Sequence, residues 1–381
     1  MIKNKLICIF LLVAILLGFT GCSSSDTGID NYYFVVSLGI DKNEDGSLKI
    51  SIQIPSTSSS GSSDAGSSQA STATIYTVES KTIDEAFIIL DNYLNKKINL
   101  SHCAALVISE ELAKEGIKTF IYTLSNNTEL PYTCQLIISS TSAYEVLDKV
   151  SNSGESFSSR LFDYLTNSSD TTGLTISSTF GDFFQNLHDD NIQPTAIYTI
   201  FNNDIVQTSG MALFKDEFLV TNVNSINTLS HSICTNKLKS STITIDNPFD
   251  ENNYIDLDIE LYKSTEVSVN IINGSPFINL TVYPKGTIRS SGSVFNYINN
   301  DNIKTLQNTS NEYLKREITN YLYDIAKEYN TDVIGFKGIC QTEYLTEDEF
   351  DKIRWNDIFQ DSFFSVDVKT QISTSNLFNK E

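Results

Sequence analysis

The 381-residue sequence has few of the residues that enzymes use for metal and nucleophilic chemistry. It contains only three histidines, and no two of them lie at a metal-ligand spacing such as i, i+4. The motifs G-x-S-x-G and H-E-x-x-H and a Gly-rich phosphate loop are absent. Nucleophilic, metal and phosphoryl-transfer chemistry therefore lack the residues that would carry them. We expect a protein that is not an enzyme and that needs no cofactor and no metal.

Basic residues are also scarce. The sequence has 26 Lys and Arg against 47 Asp and Glu, which gives a formal net charge of −21. A chain of this charge repels nucleic acid and anionic lipid head groups. The composition therefore excludes nucleic acid as a partner. Any attachment to a membrane must come from a lipid or from another protein.

Only one long apolar run occurs, and it lies at the start of the chain. Residues 6–19 follow Lys3 and Lys5 and precede Cys22. This run of about 14 residues is shorter than the ~20 that a membrane-spanning helix needs. A basic start, a short apolar core and small residues at its end predict a signal peptide over residues 1–21. Its removal takes away both lysines and lowers the net charge to −23.

Cys22 follows Gly21 as in a bacterial lipobox, where the signal is cut before the Cys and its thiol carries diacylglycerol. Phe19 stands where a lipobox usually has Leu. We therefore predict lipidation at Cys22, with residues 22–30 as a lipid-anchored tether; two acyl chains are enough for stable anchoring. The alternatives are an ordinary secreted protein cut near Gly21 and an uncleaved anchor helix.

The remaining cysteines favour no particular chemistry. Once the signal is removed and Cys22 is lipidated, Cys103, Cys134, Cys234 and Cys340 remain, far apart and without a C-x-x-C pair. An extracytoplasmic compartment permits disulfides. However, Cys103 and Cys134 lie in apolar, strand-like runs, where free cysteine behaves as a small hydrophobic residue. We favour free thiols.

Length and hydrophobic periodicity predict a mixed fold of more than one domain. Strands alternate with helices over residues 31–193, which predicts an N-terminal α/β domain with a Ser-rich loop at residues 55–74. Strands dominate after Pro194 until one long helix at about 303–329. We predict a C-terminal α+β domain over 194–375, with subdomains of about 194–263 and 264–375 as an alternative. The fold class is therefore α/β or mixed α+β, with mixed sheets flanked by helices.

Two carboxylate patterns are compatible with cation binding but are explained better by structure. Residues 41–46 match the first half of an EF-hand loop, yet Ile52 stands where the loop needs Glu. An Asp-Gly hairpin turn explains them better. Asp256, Asp258 and Glu260 share one face of a strand, and a solvated sheet face explains them better than a cation site. His102 and His188 are likewise interpreted as a hydrogen-bonded core neighbour and a polar helix end.

The order and spacing of several short blocks resemble the Ger(x)C family, the lipoprotein C subunits of bacterial spore germinant receptors. The blocks are Cys22, Gly39-Ile40-Asp41 with Gly46 and Gln53, His102 through Leu112–Ile117, Gly210–Lys215, and Asp332–Phe336 with Trp355. Two features depart from the family. Cys22-Ser23-Ser24 replaces Cys-Trp-Asp, and the Glu-Thr-Arg-Gly stretch is absent near residues 225–230.

The resemblance implies a non-catalytic subunit tethered to the outer face of the spore inner membrane, beside membrane-embedded A and B receptor subunits. An extracytoplasmic solute-binding lipoprotein and an uncharacterised enzyme remain alternatives. The hairpin at residues 210–220 matches the family best, so Gly210, Phe214 and Lys215 are candidate subunit-docking residues. The simpler interpretation is that this hairpin belongs to the core.

Overall fold

The computed structural model describes residues 28–55, 73–127, 129–152, 172–202, 205–291 and 299–373. The predicted signal peptide, Cys22, most of the Ser-rich loop and the helix predicted near residues 157–165 lie outside these ranges. The described residues form a mixed α/β fold with mixed sheets and a long helix in the C-terminal half, which confirms the predicted fold class.

The largest sheet has eight strands. The described residues before residue 224 form ten strands: β1 Tyr32–Phe34, β2 Ser37–Lys42, β3 Leu48–Pro55, β4 Ala73–Ser80, β5 Lys97–Asn99, β6 Ala105–Ser109, β7 Gln135–Ser139, β8 Thr195–Asn202, β9 Ile205–Lys215 and β10 Phe218–Val223. The sheet order is β10-β9-β8-β7-β6-β2-β3-β4, and β1 pairs separately with β5. The central strands β2, β6, β7 and β8 run parallel. Hairpins add antiparallel strands at both edges.

Helices cover both faces of this sheet. They are α1 Ile83–Tyr93, α2 Glu110–Glu115, α3 Lys118–Ser125, α4 Ala143–Asn152, α5 Phe180–His188 and α6 Ser225–Cys234. Alternate residues of β6 show the two faces: Leu106 and Ile108 belong to one buried cluster, Ala105 and Val107 to another. A strand that is buried on both faces appears in the sequence as a continuous apolar run, and the run of β6 predicts such a buried strand.

Two local expectations for helices were wrong. The sequence predicts one helix over residues 110–124, but Gly116 adopts a positive φ of 107° and separates α2 from α3. Helix α6 is not predicted, because five of its ten residues are Ser, Thr or Asn, which favour caps and turns over helix interiors. The side chain of Asn224 begins it by accepting a hydrogen bond from the Asn227 amide at 2.9 Å.

The eight-stranded sheet continues across the predicted domain boundary at residue 194. Strands β8, β9 and β10 all follow that residue, and β8 pairs with β7 from the preceding part of the chain. No break in the sheet occurs there. The division of the chain into an N-terminal and a C-terminal domain stays a prediction.

The second large sheet is built around one long hairpin. Its strands are β11 Ser241–Asp246, β12 Tyr254–Ile272, β13 Ser275–Ser291, β14 Phe363–Val368 and β15 Gln371–Ser373. The sequence predicts two strands where β12 is continuous; its pairing with β13 shifts register between Leu261 and Glu266. Asn273 and Gly274, both at positive φ, form the tight turn of the hairpin. Strands β14 and β15 then pair with β13 in parallel.

Helices pack against this second sheet. The long helix α7, Asn300–Tyr323, continues as a π-helical turn over Asp324–Glu328, and three short helices follow: α8 Phe336–Gln341, α9 Glu347–Asp351 and α10 Trp355–Ile358. One buried cluster joins α7, this sheet and one face of the first sheet. In the part of the chain that the structure describes, no helix is long and apolar enough to cross a membrane.

Candidate docking surface

The hairpin of β9 and β10 begins at a position that only glycine can occupy. Gly210 has a φ of 77°, and a Cβ added there would lie 1.9 Å from the carbonyl oxygen of Val223. The two strands therefore approach too closely at this point for any side chain. Gly210 is buried, so a partner cannot reach it.

Phe214 fixes this hairpin to two other segments. Its fully buried ring packs edge-on against Phe183, with 4.9 Å between ring centroids. Its amide donates to the Pro194 carbonyl at 3.1 Å, and its own carbonyl accepts from the Thr331 hydroxyl. Phe214 therefore supports the hairpin from inside the core and is not itself a contact surface.

The charged tip, residues 215–217, is held by its backbone. The Asp216 amide donates to the Gln193 side-chain oxygen, and the Ile117 amide donates to the Glu217 carbonyl at 3.0 Å. The Lys215 side chain remains half-exposed. Of the three candidate docking residues, only Lys215 lies where a partner can contact it.

Asp332–Phe336, another of the blocks that resemble the family, lies directly behind the tip of the Gly210–Lys215 block. The Asp332 carboxylate accepts hydrogen bonds from the amides of Gly335, Phe336 and Lys337 at 2.8–3.0 Å. Burial raises the pKa of this carboxyl to about 6, against the lowering effect of these hydrogen bonds. The Asp332 carbonyl accepts from the Gln193 amide at 2.9 Å. The two blocks are distant in sequence and adjacent in space.

A polar cleft of about 210 Å³ opens beside the tip. Its charged lining residues are Asp189, Asp190, Asp216 and Lys337. Lys215 lines a smaller neighbouring recess with Asp190 and Lys337. Exposed charges of both signs, such as these, mainly set the orientation and encounter rate of a protein partner.

The carboxylates singled out in the sequence have structural partners. Buried Asp41 accepts from the amides of Ala143 and Tyr144 and so begins helix α4. Gly46, at a φ of 84°, lies in the turn between β2 and β3, which confirms the hairpin interpretation. On β12, Asp256 accepts from Ser290, Asp258 pairs with Arg289, and Glu260 pairs with Lys285. These are the cross-strand pairs of an exposed sheet face.

The histidines and cysteines also have identifiable roles. Exposed His102 contacts Ser101 at 3.1 Å, and the His188 ring lies 2.7 Å from the Phe184 carbonyl. All four cysteines of the described residues are buried and free, as expected, although the sulfurs of Cys103 and Cys134 lie 3.9 Å apart. Within the described ranges, no group of three or more His, Cys, Asp and Glu is placed to hold a metal ion.

Comparison with known protein families identifies the chain. A model described as "Spore germination protein N-terminal domain" matches residues 26–200. A second, "Spore germination B3/GerAC like, C-terminal", matches residues 209–376. The chain belongs to the GerAC-like family of spore germination proteins. The two matches divide between residues 200 and 209, later than the boundary predicted from the sequence.

Individual relatives cover almost the whole chain. The putative spore germination protein YfkR of Bacillus subtilis is 23% identical over 92% of this chain and 91% of its own length. Spore germination protein GerQC of Bacillus cereus is 20% identical, with 96% and 98% covered. The crystal structure of the GerBC protein matches with a TM-score of 0.57 and 17% identity over 88% of this chain and 96% of that one. That likeness shows a shared fold.

Proposed function

We propose that this chain is the lipid-anchored, non-catalytic C subunit of a spore nutrient-germinant receptor and is needed for the germination response. The observation that carries the proposal is the pair of spore germination family matches, which together span residues 26–200 and 209–376. The name of a relative, GerQC, and the fold likeness to GerBC support it. The carboxylates singled out in the sequence have structural partners, which supports a non-catalytic role.

The proposed location is the outer face of the spore inner membrane. Diacylglycerol on Cys22 would hold the chain there, as the sequence Thr20-Gly21-Cys22 after an apolar run indicates. The strongly acidic composition supports attachment through lipid rather than through a basic patch. A Cys22→Ser variant should fail to become a mature membrane protein, and globomycin should cause the precursor of the native chain to accumulate. Normal mature Cys22→Ser protein in the membrane fraction would refute the anchor.

The proposed partners are the membrane-embedded A and B subunits of the receptor. Lys215 is the residue we assign to their contact, because its half-exposed side chain lies at the rigid hairpin tip and forms no ion pair within the described ranges. Gly210 and Phe214 would contribute by fixing the shape of that tip.

Charge reversal tests this contact. Lys215→Glu should leave the unfolding curve intact yet reduce co-purification with the A and B subunits, and the reduction should depend on ionic strength. Lys304→Glu on helix α7 is the matched control, since Lys304 is also an exposed lysine. If Lys215→Glu spores germinate normally and the subunits still co-purify at low and at physiological salt, the hairpin tip is not the docking site.

A further inference from the structure

Helix α1 exposes large apolar side chains to solvent. Ile88 is 62% exposed, Ile89 is 37% exposed and Tyr93 is 76% exposed, whereas Ala86 and Leu90 of the same helix are buried. Ile89 and Tyr93 are four residues apart and therefore neighbours on one helix face. A single exposed apolar residue is ordinary, but Ile89 and Tyr93 lie side by side and Ile88 lies on the adjoining side of the same helix, so α1 exposes an apolar area large enough to be a contact surface.

Helix α1 adjoins the small β1–β5 sheet, because the Ile98 amide of β5 donates to the Asp91 carboxylate of α1, and half-buried Tyr33 lies on β1. The chain passes from Tyr93 into β5, and the Tyr33 hydroxyl on β1 donates to the Asn95 side-chain oxygen at 2.9 Å. The Lys96 ammonium lies 5.2 Å from the centroid of the Tyr33 ring. We name the surface formed by Ile88, Ile89, Tyr93, Tyr33, Lys96 and Lys97 the aromatic edge.

The aromatic edge lies close, along the chain, to the proposed lipid anchor. Strand β1 begins ten residues after Cys22. Fully extended, ten residues span at most ~35 Å, since each contributes no more than ~3.6 Å. A compact chain of this length has a radius of gyration of roughly 21 Å, hence a diameter on the order of 50 Å. The tether therefore keeps β1 within ~35 Å of the membrane surface, on the nearer part of a molecule about 50 Å wide.

We propose that the aromatic edge rests in the interfacial layer of the bilayer that holds the lipid anchor. The inference depends on the anchor at Cys22 given under the proposed function. Tyrosine has an apolar ring and a polar hydroxyl, so it prefers the head-group layer. Isoleucine side chains reach the acyl boundary beneath it, and lysine stems extend along the apolar surface with their ammonium groups in water.

The contact does not require anionic lipid. Acidic residues also lie on α1. Two of them accept hydrogen bonds from nearby backbone amides: Asp91 from Ile98 at 2.9 Å and Glu85 from Lys81 at 2.8 Å. The negative charges of these acidic residues offset the positive charges of Lys96 and Lys97. The edge therefore fits a zwitterionic interface through burial of apolar area and not through net charge.

The test uses the full, lipidated chain in phosphatidylcholine vesicles that contain lipids brominated in their acyl chains. A fluorophore is attached to Tyr93→Cys and, as the control, to Leu345→Cys, which replaces a side chain that is 96% exposed in the C-terminal half. The other cysteines of the described ranges are buried and should not label. We expect the brominated lipids to quench the probe at position 93 at least twofold and the probe at position 345 hardly at all.

Flotation of the vesicles separates the two ways in which the inference can fail. If the labelled chains float and the probe at position 93 is no more quenched than the probe at position 345, the edge does not meet the bilayer and the anchor stands. If the chains do not float, the anchor is wrong and the edge inference falls with it. Matching unfolding midpoints of both labelled variants and the native chain would show that labelling has not disturbed the fold.

Discussion

The ring nitrogen Nδ1 of His231 lies 2.9 Å from the hydroxyl of Tyr321, and both side chains are buried. This contact joins helix α6 to the long helix α7. Burial lowers the pKa of His231 to about 3, and the nearby positive charge of Lys237 acts in the same direction. The imidazole is therefore neutral in the folded protein near neutral pH.

The neutral His231 predicts a loss of stability in mild acid. Its pKa of about 3 in the folded protein lies below the reference value of 6.5. Its contribution to the free energy of unfolding is therefore fully present above pH 6.5 and is lost as the pH falls toward 3. At ~1.4 kcal/mol per pH unit, the loss between pH 7 and pH 5 is about 2 kcal/mol. Asp332 acts in the opposite sense, because its raised pKa makes the folded protein less stable as the pH rises from about 4 to about 6.

The variant His231→Gln isolates this effect. It should be less stable than the native chain at pH 7, because the contact with Tyr321 is disturbed. The difference between the two proteins should shrink by about 2 kcal/mol at pH 5, since the variant has no imidazole to protonate. Urea unfolding of the native chain and the variant at pH 7, 6 and 5 measures the difference in their free energies of unfolding and its change with pH. Parallel pH profiles would contradict the assignment.

Gly210 and Gly274 form a matched pair for a test of close approach. Both have positive φ, but an added Cβ at Gly210 meets the Val223 carbonyl at 1.9 Å, whereas at Gly274 nothing lies within 4 Å. Gly274→Ala should cost ~1–2 kcal/mol, which is the strain of the left-handed backbone alone. Gly210→Ala should cost more than ~3 kcal/mol, because backbone must also move. Equal losses would mean that the hairpin opens easily at this point.

Phe214 and its neighbour Lys215 should differ sharply in their effect on stability. Phe214→Ala removes a fully buried ring and should cost ~3–5 kcal/mol of unfolding free energy. Lys215→Glu changes a half-exposed side chain and should change stability by no more than ~0.5 kcal/mol. Denaturant unfolding of the two variants is the measurement. A large loss of stability in Lys215→Glu would show that the lysine supports the fold. It would then no longer be a candidate for docking.

The segment between β3 and β4 should be replaceable by a short turn. The two strands remain paired up to Pro55 opposite Ala73, so their ends already lie at hairpin distance. Ser- and Gly-rich sequence offers little apolar area to offset an ordering cost of ~1–2 kcal/mol per residue. Replacing residues 56–72 by a four-residue Gly-Asn turn should keep the melting temperature within a few degrees. A large drop would show that the segment packs against the protein.

Local patterns in the sequence predicted most of the strands and the helices with clear caps. The spacing of Thr82 and Glu85 predicts a capping box, and Thr82 accepts a hydrogen bond from the Glu85 amide at 3.1 Å. The Glu85 carboxylate, however, accepts from the Lys81 amide instead of the Thr82 amide. Local sequence patterns do not reveal which distant strands pair with each other. The composition changes near Pro194, yet β8 pairs with β7 across more than 50 intervening residues, a pairing that composition does not reveal.

The same limit applies to the candidate docking surface. The sequence indicated a charged tip at Lys215 and an apolar Phe214, and the structure places them accordingly. The hydrogen bond from Thr331 to the Phe214 carbonyl joins residues 117 positions apart, and no periodicity signals it.

The parallel pairing of β14 and β15 with β13 has a consequence for synthesis of the chain. Strand β13 ends at Ser291, but its partners are the last elements of the described chain, ending at Ser373. While the ribosome makes the intervening ~70 residues, one edge of a 17-residue strand stays open. A nascent or prematurely terminated chain would present that edge, with Phe277 and Ile278 on it, to other unfinished chains. Loss of the final strands should therefore lead to aggregation of the protein rather than only to a lower free energy of unfolding.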